Sequence, residues 1–395
     1  MKIYEIGTGY TSIPAKMGAA TEIVVEELTK AFLSIGQDVT LVDIADPNRL
    51  PNNLPIEEVH IPKVLTDTDV QLGIMHKLKR VVYSIALALK LKKMLSRTKE
   101  EVLLHFHNQY NMYFFLKLTG KSLRKKVKIA YTVHSYIWPG EWDEIKDTIK
   151  KRYFQEMYCV QHADYVLVLN DKTINHFVKR LHVPKNRIWK IANGVNTDIY
   201  SVLPDTEIEN FKGSIGLVGK RMIFQVGSVC ERKNQLGAVK MLSNYLRENK
   251  DVVYAYAGGI IDEEYKRKID EYIKDENLFE QVVYVGEIAP GKTLNQYYNA
   301  ANLTVFPSRI ESFGLVIIES LSAGTPVLLS DKPLFDLNSG YEVFSNRDEF
   351  IRFVKENADG KNRGEKNRPE IIEKYSWKAV AREHLSIFEN NWKQR

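Results

Sequence analysis

The sequence predicts an α/β protein made of two similar halves, each a parallel β-sheet flanked by helices. Three observations point there. Short β-branched or aromatic runs alternate with helical stretches along most of the chain, a pattern that implies parallel strands joined by right-handed crossovers. The alternation proceeds to about residue 200 and then begins again at Met222. At 395 residues the chain is long enough for two domains, each with its own core.

The first half opens as strand, glycine loop and helix. Lys2 to Ile6 is a short β-type run, and Gly7 to Gly18 holds three glycines and Pro14. Thr21 to Ser34 has helical spacing through Ile23, Val24, Leu28, Ala31 and Phe32. Val39 to Val42, Val102 to Phe106, Ile129 to Val133 and Tyr165 to Leu169 are the following strands, with helical stretches between them. Lys77 to Lys93 is basic and partly amphipathic, and the plainest reading buries its Val81/Ile85/Leu89 side with solvated lysines opposite.

Ser201 to Lys220 shows no clear core pattern, so the interdomain linker is placed there. The second half then repeats the scheme. Met222 to Val226, Val252 to Ala257, Val282 to Val285, Leu303 to Phe306 and Pro326 to Leu329 read as strands. Asn234–Asn249, Glu263–Lys274, Leu294–Ala300 and Leu315–Ala323 read as helices. The tail from Tyr375 is a helix with Trp377, Val380, Leu385, Phe388 and Trp392 on or near one face.

Apolar content of 44% and charged content of 27% are those of a soluble globular protein. Met1-Lys2 leads straight into Ile-Tyr-Glu-Ile, so no export signal is expected, and the expected compartment is the cytoplasm. The run Val81 to Leu89 falls far short of the roughly 20 apolar residues a membrane span needs. Two cysteines, Cys159 and Cys230, make no disulfide framework and no zinc spacing. Charge is uneven: residues 1–200 hold 29 Lys/Arg against 21 Asp/Glu, and the remainder 27 against 29. Within Lys77 to Lys128 there are 14 cations and only two acids, Glu100 and Glu101.

The most informative segment is Pro307-Ser-Arg-Ile-Glu-Ser-Phe-Gly-Leu-Val-Ile-Ile-Glu-Ser-Leu-Ser322, followed by Ala-Gly-Thr-Pro-Val327. Glu311 falls in a polar turn, Gly314 at a helix start, and Glu319 eight positions on amid apolar neighbours. A helix that buries Leu315, Ile318 and Leu321 has no packing reason to carry that carboxylate, which is costly to bury without hydrogen-bond donors. Sugar hydroxyls are such donors, and free amides around Phe313 to Leu315 suit hydroxyls or phosphate oxygens.

This segment resembles the Glu-x7-Glu signature of the retaining GT-B glycosyltransferases of family four, the glycosyl transferases group 1. The resemblance implies that Glu311, Ser312 and the loop amides of Phe313, Gly314 and Leu315 hold the transferred sugar, and that Glu319 holds the ribose. Gly18, within Ile13-Pro-Ala-Lys-Met-Gly-Ala-Ala-Thr-Glu22, corresponds to the family's N-terminal glycine loop, although Ala19 stands where a second glycine is usual. Gly227-Ser-Val-Cys-Glu-Arg-Lys-Asn-Gln235 follows a strand and opens a helix. Lys233 matches the family's lysine beside the leaving diphosphate. The family's arginine position is Ser228 here, and Arg232 is the substitute. His134, closing the strand Tyr131-Thr-Val-His134, matches a histidine that touches the donor sugar. His105-Phe-His107 resembles the family's strand-end pair, with packing as its expected role. Asn193-Gly-Val matches a turn near the hinge.

The resemblance covers nearly the whole chain and implies the GT-B architecture, two Rossmann-like domains facing across a cleft. The expected domains are 1–205 for the acceptor, 206–374 for the nucleotide sugar, and a helix over 375–395 returning to the first. Glu311, His134 and Lys233 are the expected catalytic residues. Gly18, Arg232, Lys233, Ser312, Phe313, Gly314, Leu315 and Glu319 are expected to bind the donor. The implied reaction is retaining transfer of a hexose or N-acetylhexosamine from a nucleotide diphosphate sugar, UDP being the commonest, to an acceptor hydroxyl. No metal and no cofactor are expected: the lone Asp67-Thr-Asp69 lies in a variable polar loop. A sugar-nucleotide epimerase of the same fold and a non-catalytic binding subunit are the alternatives. The basic stretch suits a lipid-linked or anionic acceptor and peripheral contact with an anionic membrane. It suits nucleic acid poorly, having no aromatic stacking platform.

Overall fold

The computed structural model describes residues 1–15, 20–66, 74–134, 150–309, 313–331, 336–357 and 368–392. The chain forms two compact units. One comprises Met1–Gly194 with Trp377–Arg395, the other Val195–Ser376. Helices of eight or more residues are numbered here in chain order.

The first unit runs β1 (Lys2–Ile6), α1 (Ala20–Ser34), β2 (Val39–Ile44), β3 (Ile56–Val59), α2 (Ile74–Arg97), β4 (Val102–Phe106), α3 (Gln109–Leu118), β5 (Val127–Val133), α4 (Phe154–His162), β6 (Tyr165–Val168), α5 (Asp171–Leu181) and β7 (Ile188–Lys190). Its seven strands are all parallel, in the order β3-β2-β1-β4-β5-β6-β7. Polar caps start the helices where the strands end: Asn108 accepts from the amides of Tyr110 and Asn111, and Asn170 from that of Thr173. One sheet face buries Leu104, Phe106 and Val166 against Tyr83, Leu87 and Leu91 of α2 and Phe115 of α3.

The second unit runs α6 (Asp205–Ser214), β8 (Arg221–Val226), α7 (Gln235–Glu248), β9 (Val252–Ala257), α8 (Glu263–Asp275), β10 (Val282–Gly286), α9 (Lys292–Ala300), β11 (Leu303–Phe306), α10 (Leu315–Ser322), β12 (Val327–Leu329), β13 (Tyr341–Val343), α11 (Arg347–Asn357) and α12 (Arg368–Tyr375). The six strands are parallel in the order β10-β9-β8-β11-β12-β13. Ile223, Tyr254, Tyr256 and Val305 pack with Leu242 of α7 and Phe350 of α11.

A last helix, α13 (Trp377–Asn390), returns to the first unit and packs on α1. Its buried face is Trp377, Val380, Ala381, His384 and Phe388. Phe388 is anchored through its carbonyl, which accepts from Tyr165 Oη at 3.1 Å. His384, rather than the expected Leu385, takes the inward position.

Two expectations are corrected. Residues 201–220 are not featureless, because α6 lies there; it buries only Ile208, which leaves almost no periodic signal. The second concerns α2. Val81, Ile85 and Leu89 are exposed by 39, 36 and 56%, while Tyr83, Leu87, Leu91 and Leu95 face the core. The helix carries two apolar stripes, and the sheet takes the one whose larger side chains fill more volume. Among the described residues no helix is long and apolar enough to cross a membrane.

Candidate functional site

In parallel sheets, ligands bind beyond the carboxyl ends of strands, where strand order reverses. In the second unit that point lies between β8 and β11. The loops leaving these strands are tied together: Arg309 N donates to Arg232 O at 2.9 Å, and Asn234 Nδ2 to Pro307 O at 3.1 Å. After β8 the chain turns through Gly227, whose φ is 147°. A Cβ there would come within 3.1 Å of Lys233 Cε, so only glycine lets the lysine stem lie along the loop. Gly258, ending β9, presses on the Gly227 carbonyl and has no room for a Cβ either. Lys233 is buried, and its carbonyl accepts from Gln225 Nε2 at 2.8 Å. Arg232 beside it is exposed. Gln235 Oε1 and Ser308 Oγ, one in each strand-to-helix segment, are buried with no partner among the described residues. A polar ligand supplies such partners.

After β11 the chain enters α10. Gly314 caps the helix in the left-handed region with no side-chain cap among the described residues; Ile317 N donates to the Gly314 carbonyl at 2.9 Å, which leaves the first amides, those of Leu315 and Val316, as an anion or hydroxyl site. Phe313 is buried and Leu315 half-buried. One turn further, Glu319 accepts from Tyr298 Oη at 3.1 Å and also hydrogen-bonds Tyr200. Burial pushes its carboxyl up to about 7, against the pull of the two phenols. The surroundings of this carboxylate are rigid. Ser322 Oγ and Arg368 Nη1 both donate to the carbonyl of Tyr200, at 2.6 and 2.9 Å, and Thr325 Oγ1 donates to that of Tyr298.

In the first unit the reversal lies between β1 and β4. Residues alternating along β1, β4 and β5 place Glu5, His105, Thr132, His107 and His134 on one sheet face. They form one hydrogen-bonded chain. Glu5 Oε1 meets His105 Nδ1 at 2.8 Å, and Glu5 Oε2 meets His107 Nε2 at 2.7 Å. His105 Nε2 reaches Thr132 Oγ1 at 2.7 Å, and His107 Nδ1 reaches His134 Nε2 at 2.8 Å. Burial alone would raise the Glu5 carboxyl, but the two histidines outweigh it and hold it at about 2. Burial and then His105 lower His107 to about 4, and burial and then His107 hold His134 well below the usual histidine range. At neutral pH, therefore, an ionised Glu5 takes an N–H from each neighbour. His107 is left with a bare Nδ1, which takes the N–H of His134 Nε2. His134 Nδ1 is thereby fixed as an acceptor.

The structure thus brings Lys233, Arg232, Phe313, Gly314, Leu315 and Glu319 to the strand ends of the second unit, and His134 to those of the first. Gly18, Glu311, Ser312 and the Asp67/Asp69 pair lie outside the described residues. Sequence reasoning missed Glu5, Tyr200, Tyr298 and Gly258. An acidic residue between Tyr4 and Ile6 in the buried part of the first strand is a signal that could have found Glu5. The ligand atoms of Glu5, His105 and His107 lie close enough to hold a metal ion. Their donors and acceptors are already paired with one another, which makes the cluster a hydrogen-bond chain rather than a vacant coordination set.

Comparison with known proteins agrees along the chain. The family profile Glycosyltransferase Family 4 matches residues 21–199, and Glycosyl transferases group 1 matches residues 207–336. An uncharacterized glycosyltransferase of Methanocaldococcus jannaschii is 26% identical over 264 residues, 61% of this chain and 64% of that one. The alpha-galactosylglucosyldiacylglycerol synthase of Streptococcus pneumoniae is 24% identical over 53% of this chain and 54% of its own. The chain thus spans less than two thirds of the length of either relative. Among solved structures, Anabaena HepE in complex with UDP superposes with a TM-score of 0.71 at 14% identity, covering 99% of this chain and all of that one.

Proposed function

Because the chain belongs to the glycosyl transferases group 1, the family-four glycosyltransferases, we propose that it transfers a sugar from a nucleotide diphosphate sugar to an acceptor hydroxyl with retention of anomeric configuration. The observation that carries the reading is Glu319. It is a carboxylate held between two tyrosines one turn into a glycine-capped helix, where hydroxyl donors offset the cost of its burial. In this reading Glu319 accepts the ribose hydroxyls, and the α10 amides with Phe313, Gly314 and Leu315 meet the diphosphate and sugar. Lys233 and Arg232 place positive charge where the leaving diphosphate gathers negative charge. The anomeric carbon–oxygen bond to the diphosphate breaks as the acceptor oxygen bonds on the same face, and the acceptor proton passes to the departing diphosphate. His134 Nδ1, fixed as an acceptor, takes a hydrogen bond from a sugar hydroxyl. Gly18, Glu311 and Ser312 complete the donor set, Glu311 as a catalytic group at the transferred sugar.

The donor is a UDP-hexose or UDP-N-acetylhexosamine, in keeping with the UDP held by HepE. The acceptor is lipid-linked or anionic and is met at the cytoplasmic face of a membrane, in keeping with the similarity to a diacylglycerol glycoside synthase. No metal takes part. Glu311→Ala tests the reading: transfer should vanish while the UDP-induced rise in melting temperature persists. Undiminished turnover by the folded variant would overturn it.

A further inference from the structure

We propose that the outer face of α2 docks on an anionic lipid bilayer, its apolar crest entering the headgroup region between lysines. This deepens the lipid-acceptor reading above, on which it rests only for the identity of the acceptor. The crest is Ile74, Leu78, Val81, Ile85 and Leu89, exposed by between 36 and 84%. Their spacings of four, three, four and four residues set all five along one line of a helix. The opposite side is occupied: Tyr83, Leu87, Leu91 and Leu95 are packed in the core. The crest is therefore not a core face awaiting rotation but a second stripe left outward. Scattered exposed apolar residues need no explanation, whereas an aligned row of five does.

Charge selects the occupant. The helix carries seven cations and no acidic residue; Lys79 is buried and Lys90 pairs with Glu57 at 2.7 Å, which leaves the exposed ones for a ligand. Lys77, Lys92, Lys93 and Arg97 are exposed around or beyond the crest. An apolar ridge with cationic flanks is the pattern of helices that lie in a membrane interface, where apolar side chains enter the acyl boundary and lysines meet lipid phosphates. A second copy of the chain is a poor occupant, since isologous pairing of α2 would set lysine rows against each other with no α2 carboxylate to answer them.

The test uses the full chain with vesicles of phosphatidylcholine alone or mixed with phosphatidylglycerol, at low and high salt. Co-sedimentation is expected with the anionic vesicles, weakened by salt because the lysine contribution is screened. Leu78→Glu combined with Ile85→Glu should cut binding at least about tenfold, and Lys92→Glu with Lys93→Glu should do so at low salt. All four substitutions lie on exposed positions, and an unchanged UDP-induced melting shift certifies the fold. Loss of vesicle binding with that shift retained supports docking. Failure of the UDP shift in the wild type would sink the donor reading and leave docking to be judged by the vesicles alone. The proposal is overturned if wild-type protein ignores both vesicle types, or if the crest variant sediments as wild type does. It is also overturned if the wild type proves dimeric and the crest variant monomeric with no change in vesicle binding.

Discussion

Replacing Glu319 with Gln removes a buried titration and, under the proposed function, a ribose acceptor in one step, and the two effects have opposite signs. The folded carboxyl titrates near 7 rather than at its ordinary 4.5. Between those values the native state keeps a proton that the unfolded chain has released. The associated stability is fully present below about pH 4.5 and is lost as pH rises through 7. A shift of that size corresponds to about 3 kcal/mol, which partial exposure of the residue discounts to about 2. Gln keeps the acceptor for Tyr298 and has no proton to lose. At about pH 8 the ligand-free variant should therefore melt above wild type, by about 4–8 °C on the scale of a unit this size, and at about pH 5 the difference should vanish. With UDP the order reverses. A neutral amide in place of a charged acceptor loses about 1.5–3 kcal/mol, or roughly ten- to a hundredfold in affinity. Wild-type UDP affinity should also rise with pH up to about 7, because ribose favours the ionised form. Melting curves with and without UDP across this range test both halves. A variant that binds UDP as wild type does, or that melts no higher than wild type at about pH 8, would refute the reasoning.

Gly227→Ala pushes a Cβ onto the Lys233 stem and strains a backbone at φ 147°, so turnover should fall about tenfold or more, while Ser228→Ala should be nearly silent. Acid should unfold the first unit early. His107 and His384 are held at about 4 and 3, so the unfolded chain binds protons below about pH 6.5 that the native state refuses; stability falls with pH by about 3 kcal/mol for His107 alone, as circular dichroism of an acid titration would register. Glu5→Gln removes the anion that orders the imidazole protons. Nitrogen-15 NMR should then show His134 no longer fixed with its proton on Nε2, with kcat lowered and the UDP melting shift intact; an unchanged His134 signature would argue against the chain of hydrogen bonds.

Much of this was legible in the residues. Strands such as Val102–Phe106, Val252–Ala257 and Leu303–Phe306 were readable to the residue because buried central strands are continuous apolar runs. The short edge strands β3, β7 and β13 have three or four residues and partial exposure, and leave little pattern. The glycine before α10 and the misplaced carboxylate of Glu319 marked the candidate site, since neither serves packing. Tyr200 and Tyr298 were silent, because a tyrosine in a helix or loop looks the same whether it fills a core or holds a carboxylate. Glu5, His105 and His107 escaped as a group for another reason: they are about a hundred positions apart and meet only through the parallel pairing of β1 with β4. The orientation of α2 was misread because both of its stripes are apolar, and periodicity cannot say which one the sheet takes.

The central claim is sugar transfer from a nucleotide diphosphate donor. It is tested most directly by incubating the purified protein with UDP-, GDP- and ADP-sugars labelled in the sugar, with and without a lipid extract, and measuring released nucleotide diphosphate together with the fate of the label. The account predicts release from UDP-sugars, label moving into the lipid fraction with the donor's anomeric configuration, and near-complete loss of both with Lys233→Ala. No diphosphate release from any donor, or release that Lys233→Ala leaves unchanged, would contradict it.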